Sequence, residues 1–296
     1  MADRRPVVNT VDELDEELNS SYCRWDDDLI GAFADDELVG FQYTYHLPSH
    51  EVTERCYVFG TTHPLHRGRG VGTAMLEWGV DRARHRLAGG SSDQPKVVRV
   101  DALDHVVDAL ALFSEHGFVA SRYFSEMELS LTERRDVVTP DGLSIVKWPD
   151  DDPEFDEVVR VMKNIAFADH WGSSPTDTDG WHQKVRGFGA RRDLSFVAVD
   201  LEGSPVGLAL THRYPDDDEV LGRRGAWLDT VGTLREWRGR GVASALINRA
   251  LNSYLDDELE MASIGVDSDS PTGANRLYES LGFAVARRTV TFDLTM

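Results

Sequence analysis

The sequence predicts an α+β protein made of two tandem, related domains, and two observations carry that prediction. The first is a repeat. Arg67-Gly68-Arg69-Gly70-Val71 returns 171 residues later as Arg238-Gly239-Arg240-Gly241-Val242, and Leu112-Phe113-Ser114-Glu115-His116-Gly117-Phe118 is echoed 165 residues later by Leu277-Tyr278-Glu279-Ser280-Leu281-Gly282-Phe283. Two different motifs in the same order at nearly one offset indicate a duplicated domain, since a period this long exceeds any solenoid repeat. The second observation is that the same succession of strand-like and helix-like stretches surrounds both copies. The turn signal Thr139-Pro140-Asp141-Gly142 puts the boundary within 133–141, giving domains at 1–135 and 136–296.

In the second half, 143–148 reads as a strand. Residues 154–168 read as an amphipathic helix, with Phe155, Val158, Val159, Val161, Met162, Ile165 and Ala166 at helical spacing. A loop and a weaker helix occupy 174–188. Strands follow at 194–199 and 206–213, joined by a turn containing Glu202-Gly203-Ser204, and another at 226–233. A helix at 241–254 carries Val242, Leu246, Ile247, Ala250 and Leu251 on one face. A strand at 261–266, a helix from Pro271 to a stop at Gly282, and a strand at 285–294 complete the order. The first half reads as a helix at 11–22, strands at 29–33, 38–46 and 56–62, a helix at 71–88, a strand at 97–102, a helix at 106–116 and a strand at 121–129. It has no counterpart of the strand and helix that open the second half.

Composition narrows the class. Of 296 residues, 41% are hydrophobic and 28% charged, an ordinary globular balance. No apolar run reaches the roughly 20 residues of a membrane span, and the start, Met1 to Val8, has no apolar stretch of leader type, so a cytoplasmic location is expected without membrane association. Cys23 and Cys56 lack metal-ligand spacing, which argues against a zinc site or disulfide framework. A net charge of −21 argues against nucleic acid as a partner. The acid suits either a solvated surface or attraction of a cationic small substrate.

Each Arg-Gly-Arg-Gly-Val lies between a strand and a helix. Small residues there leave backbone N–H groups pointing outward at the positive end of a helix, an arrangement suited to phosphate. Glycine permits positive φ and close approach, and the arginines are expected to add charge and fork-shaped donors. The spacing departs from the lysine-bearing phosphate loop and from the dinucleotide fingerprint, because Ala243 and Ser244 follow the second copy.

The patterns Arg67-x-x-Gly70-x-Gly72 and Arg238-x-x-Gly241-x-Ala243 after a strand resemble the GNAT superfamily of N-acyltransferases, over nearly the whole chain. The resemblance implies two GNAT-like domains, each a mixed, mostly antiparallel sheet flanked by helices. It also implies that the turns cradle the pyrophosphate of coenzyme A, with acetyl-CoA as the expected cofactor. The cofactor-binding residues would be Arg238, Gly239, Arg240, Gly241, Val242, Ala243 and Ser244, with Arg67, Gly68, Arg69, Gly70, Val71, Gly72 and Thr73 in the first copy. The tandem arrangement and the run Ala166-Phe167-Ala168-Asp169-His170-Trp171-Gly172 are similar to the two-domain mycothiol synthase branch, from which no acceptor is assigned.

In the superfamily a tyrosine on the helix after the fifth strand often protonates the departing thiolate. Tyr278 matches that position, and Asn275, on the same helix face, matches an asparagine that commonly contacts the cofactor. The first half has Phe113 and Leu110 there, and phenylalanine has no proton to give, so catalysis is expected in the second half. The first half is expected either to bind coenzyme A or only to support its neighbour. The glutamate common on the fourth strand is replaced by Trp227. Asp229, on the same strand side, is the leading candidate for accepting a proton or for binding a cationic amine, and His170 is the second candidate base, while Trp171 and Trp181 are expected to line or lid the acceptor pocket. One N–H from Val231, Gly232 or Thr233 is expected to hold the thioester carbonyl.

The expected reaction is acetyl transfer from acetyl-CoA to a primary amine of a small molecule such as an amino sugar, an aminoglycoside-like antibiotic or a cysteinyl conjugate, by a monomer or homodimer. The alternatives are a non-catalytic acyl-CoA-binding protein and a protein N-acetyltransferase.

Overall fold

The computed structural model describes residues 10–49, 51–90, 92–270 and 272–296. The start of the chain and Pro271, both read above, lie outside the described residues. The chain forms two compact units, Ser125–Arg287 and Val11–Phe124 with Arg288–Met296.

The first, the catalytic candidate, begins with β5 (Val119–Ser130), of which residues 125–130 belong here. It continues with β6 (Ser144–Lys147), α5 (Pro153–Ala166), α6 (Thr178–Arg186), β7 (Phe196–Val199), β8 (Pro205–His212), α7 (Asp217–Leu221), β9 (Gly225–Thr233), α8 (Val242–Asp256), β10 (Met261–Asp267), α9 (Ala274–Ser280) and the start of β11 (Ala284–Thr295). The sheet order is β5-β10-β9-β8-β7-β6. β6 to β9 are antiparallel and β9 to β10 parallel. α5 starts where the Asp152 carboxylate accepts the Phe155 N–H at 2.9 Å and Pro153 presets φ. It buries Val159, Met162 and Ala166 against Val197, Leu208 and Leu210. α8 covers the opposite face with Leu246, Ile247 and Leu251 fully buried, each worth about 1.5–3 kcal/mol of transfer free energy.

The second unit holds α1 (Val11–Leu18), α2 (Trp25–Asp28), β1 (Leu29–Ala34), β2 (Glu37–Leu47), β3 (Glu54–Thr62), α3 (Val71–Ala88), β4 (Lys96–Leu103) and α4 (Val107–Glu115). β1 to β3 are antiparallel, β3 and β4 parallel. This unit has no counterpart of β6 among the described residues. No helix among them is long and apolar enough to cross a membrane.

A single cut at 1–135 and 136–296 does not describe the units. The chain's last residues close the Val11–Phe124 unit, where Thr289–Thr295 pair antiparallel with Leu103–Val97 of β4. Arg99 and Asp293 are register partners, joined by bonds of 2.7 and 2.9 Å, and Val290 and Phe292 complete this unit's core. Conversely, Met127 and Leu129, from before the expected boundary, lie in the other unit's core. The segment after β5 is fastened there too: the Asn252 amide accepts the Arg135 N–H and donates to its carbonyl, both at 2.9 Å.

Candidate active site

The glycine turns are the same structure built twice. After β9, a short 3-10 turn (Arg235–Trp237) leads through Arg238 to Gly239 at φ 73° and Gly241 at φ 86°, ψ 3°. After β3, Pro64–His66 leads through Arg67 to Gly68 at φ 70° and Gly70 at φ 83°, ψ −4°. The first helical bonds, Ala245 N–H to the Gly241 carbonyl and Ala74 N–H to the Gly70 carbonyl, are both 3.0 Å. No side chain caps either helix, so the first-turn amides of Val242, Ala243 and Ser244, and of Val71, Gly72 and Thr73, have no acceptor within their helix. A Cβ on any of the four glycines would meet nothing within 4 Å. Both turns thus present open amides at a helix N-terminus and fit a pyrophosphate.

The arginines divide differently from expectation. Arg238 is committed to the protein: Nε donates to the Thr233 carbonyl at 3.2 Å, Nη2 to the Ala166 carbonyl at 2.6 Å, and both Nη atoms to Asp169. Arg67 makes the same Nε bond, to the Thr62 carbonyl, at 3.3 Å. The first arginine of each motif therefore fastens the turn to its strand. Arg240 lies exposed over the Trp237 ring, 5.0 Å from its centroid, and Arg69 is exposed as well.

The strand before the turn opens the site. β9 and β10 pair from Met261↔Gly225 to Ile264↔Leu228, and β9 runs on to Thr233 along β8 alone. Leu234 N–H bonds the Val206 carbonyl at 2.9 Å beside the Thr233↔Gly207 pair. By alternation Gly232 then faces β8, while the N–H groups of Val231 and Thr233 face the opened edge. Gly232 is thereby removed from the three candidate donors to a carbonyl.

Tyr278, on α9, is 6% exposed and packs against Phe283. Burial pushes its phenol up to about 12, so the proton is held more firmly than in a free phenol. Phe113, its counterpart, sits among Phe118 and Phe292. Asn275 is less available than expected. Its amide donates to the Asp267 and Ser268 carbonyls at 2.9 and 3.2 Å, which holds the end of β10 and leaves only the side-chain oxygen for a cofactor.

Asp229 is not placed as a base. Lys184 Nζ and Thr230 Oγ1 each donate to Oδ2 at 2.6 Å, and His212 Nδ1 lies 3.7 Å from Oδ1. Burial acts to raise its pKa, but Lys184 and His212 outweigh it and hold the carboxyl well below the usual range. His170 is half-buried, its ring 4.5 Å from that of Phe167, and burial lowers its pKa, which leaves a neutral imidazole at neutral pH. Phe167 in turn abuts the strand end, since a Cβ on Gly232 would lie 2.6 Å from its ring. Trp181 is no pocket lid. It is 2% exposed, lies tilted against Trp148 with the ring centroids 6.1 Å apart, and donates to the Asp156 carbonyl, as a core residue does. Trp171 is half-buried.

Sequence reasoning missed Lys163, Lys184, Asp169 and Phe167. The chain has four lysines, and two of them stand on the α5–α6 side of Asp229. Lys163 is 8% exposed, bonded to Thr176 Oγ1 at 2.6 Å, and burial brings it down to about 8. Lys184 and Asp229 are 45 positions apart, and nothing in their local sequence announces the pairing.

A sequence model of the acetyltransferase (GNAT) family matches residues 3–118 and 158–283, most of the chain and both repeats. The chain belongs to that family. Among its relatives, the mycothiol acetyltransferase of Nocardiopsis dassonvillei is 30% identical over 278 residues, covering 86% of this chain and 78% of the relative. That of Thermobispora bispora is 30% identical over 252 residues, covering 84% and 77%. A GCN5-related N-acetyltransferase from Sphaerobacter thermophilus superposes with a TM-score of 0.71 at 24% identity, covering 91% of this chain and 81% of that one. A tandem GNAT protein from the clavulanic acid biosynthesis pathway superposes with a TM-score of 0.66 at 19% identity, covering 90% and 82%. The tandem GNAT fold and an N-acetyltransferase activity class follow for this chain.

Proposed function

We propose that the Ser125–Arg287 unit transfers an acetyl group from acetyl-CoA to a primary amine of a small molecule by direct attack. One observation carries the assignment to this unit: the same open turn is built twice, but only here does a buried tyrosine stand at the acid position. The relatives' names favour a small-molecule acceptor over a protein one.

In this reading the amides at Val242, Ala243 and Ser244, with Arg240, hold the pyrophosphate. Acetyl-CoA supplies the activated acyl group when bound. The Val231 N–H, on the opened strand edge, donates to the carbonyl oxygen and gains strength as charge develops there. The acceptor arrives as an ammonium and gives one proton to the His170 imidazole. Its nitrogen bonds the acyl carbon as the carbon–sulfur bond breaks, the Tyr278 hydroxyl gives its proton to the leaving sulfur, and the second proton shed by the new amide nitrogen restores the Tyr278 hydroxyl through solvent. Asp229, ionised and tied to Lys184, is a weak base and serves as fixed charge on the acceptor side.

Replacing Tyr278 by Phe tests the assignment. Thiol release in the presence of an amine is expected to fall by about 10²–10⁴-fold, with acetyl-CoA affinity retained in a calorimetric titration. Undiminished thiol release would overturn it. A second reading applies to the other unit. Its turn matches to within a few degrees while Phe113 replaces the acid, which favours a cofactor-binding unit without chemistry.

A further inference from the structure

Arg238 has no spare fork to offer a phosphate. Its guanidinium joins three segments of one unit: the last residue of β9 through the Thr233 carbonyl, the last turn of α5 through the Ala166 carbonyl, and the following loop through Asp169. The Asp169 bonds are two-pronged, at 2.6 and 3.0 Å, the geometry in which arginine fixes direction as well as distance. The loop's far end is fixed just as firmly. Thr176 N–H donates to Asn164 Oδ1 at 2.9 Å, and its carbonyl accepts from Asn164 at 3.0 Å and Arg160 at 2.6 Å. Between the two clamps stands His170, with Phe167 wedged between its ring and Gly232.

We propose that Asp169 is a positioning residue, which through Arg238 holds His170 beside the opened end of β9 and ties the placement of the amine's proton acceptor to the formation of the donor turn. This rests on the reading of the unit as an amine acetyltransferase. A loop that carried its base independently of the turn would have no need of the shared arginine. Here the arginine that fastens the turn to its strand also holds the Asp169 carboxylate, and His170 follows as the adjacent residue. The charged groups acting on His170 are Asp169 itself, Arg238, Asp267 at the end of β10 and Lys163 on α5. The two aspartates favour the imidazolium, while Arg238 and Lys163 oppose it, together with burial. Removing the Asp169 charge therefore deletes one favourable interaction and leaves Arg238 unmatched, and both changes move the imidazole in the same direction, further down.

The test uses the full chain, acetyl-CoA and an amine that the wild type acetylates, with thiol release followed from about pH 5 to pH 9. Asp169→Asn is expected to lower kcat about tenfold while the KM for acetyl-CoA changes by less than about threefold, and to displace the acidic limb of kcat/KM to lower pH. Asp169→Glu, which keeps the charge on a longer arm, is expected to recover most of the limb position with part of the rate. His170→Gln is expected to abolish that limb. An Asp169→Asn profile scaled down uniformly with its limb in place would reduce Asp169 to a structural contact and overturn the proposal. So would an unaltered profile. A limb that survives in His170→Gln removes His170 as the acceptor and the proposal with it, while the Tyr278→Phe result judges the acetyltransferase reading separately. Should Asp169→Asn fail to fold, Asp169→Ser, which also removes the charge, decides in its place by the same displacement of the limb to lower pH against a limb left in place.

Discussion

The two glycine turns agree in φ to within a few degrees, share their 3-10 approach, their arginine bond to the strand-end carbonyl and their first helical hydrogen bond. What surrounds them does not agree. Around Gly241 the chain has placed a buried phenol, a clamped loop with a histidine, and a Lys–Asp pair. Around Gly70 the acid position holds a core phenylalanine. An anion cradle depends on about ten residues of local backbone and survives duplication intact, because glycine and helix termini suffice to make it. A catalytic site depends on side chains from four or five elements and is lost when any one of them drifts. On the proposed function, binding geometry is the more durable half of the site, and the duplicated halves part ways in chemistry while remaining alike in fold.

The most severe way to break this comparison is to put a carboxylate into each cradle. Gly241→Glu is expected to reduce turnover by at least about 100-fold. It places a negative charge in front of the amides and imposes left-handed backbone on a residue that resists it, at about 1–2 kcal/mol. Gly70→Glu is expected to leave turnover within about twofold, while calorimetry with acetyl-CoA loses one of two binding events if that unit holds cofactor. Gly241→Asn is the control, since asparagine tolerates positive φ and adds no charge. Its turnover should fall far less than that of Gly241→Glu. Equal losses for Gly70→Glu and Gly241→Glu would show the halves to be functionally equivalent.

Next in size is the strand that closes the unit around Gly70. Asp293 is three residues from the chain end, yet it lies opposite Arg99, whose side chain is 6% exposed. Asp293→Ala leaves that guanidinium buried without its carboxylate, a defect typically costing about 3–5 kcal/mol. The loss should appear as a lowered urea midpoint reported by probes in the Val11–Phe124 unit, with acetyl transfer at low denaturant unchanged. A midpoint shifted by less than about 0.5 kcal/mol equivalent would mean that β11 is not what closes this unit.

The repeat, the order of strands and helices and the two turns were legible because each rests on local pattern, period-2 or period-3.6 hydrophobicity and glycine between them. The exchange of β11 was not. A strand with Val290, Phe292 and Leu294 facing inward reads the same whether its partner is β10 or β4, and alternation names a face but never a neighbour. Trp181 was misjudged for a related reason: an aromatic on a loop-like stretch reads as a lid until the core that swallows it is known. Arg238 lies in the turn its motif marks, while its bonds to Thr233, Ala166 and Asp169 are not legible there, because the motif fixes where a residue sits and not where its five donors go. Nothing in the sequence around Lys163 or Lys184 singles either of them out. Lys184 gains its meaning only when α6 carries it to Asp229, a contact between elements that no window of sequence contains.

The smallest expected effect sharpens the comparison most. Phe113→Tyr restores the acid to the unit that lacks it. Phe113 is half-buried with Phe118 and Phe292 at 6.1 and 5.7 Å, so the added hydroxyl enters an aromatic surround at a cost of about 1 kcal/mol. Introduced into Gly241→Glu, which silences the other unit, it should produce no thiol release above background. An acid protonates a sulfur only after an amine has attacked, and attack requires an acceptor held near a proton acceptor. Among the described residues the unit around Gly70 has no counterpart of the strand β6, and its helix α1, at 8 residues, is little more than half the length of α5. If Phe113→Tyr nonetheless released thiol in the presence of an amine, the missing tyrosine would be the whole difference between the halves, and the clamped loop bearing His170 would be dispensable to the chemistry.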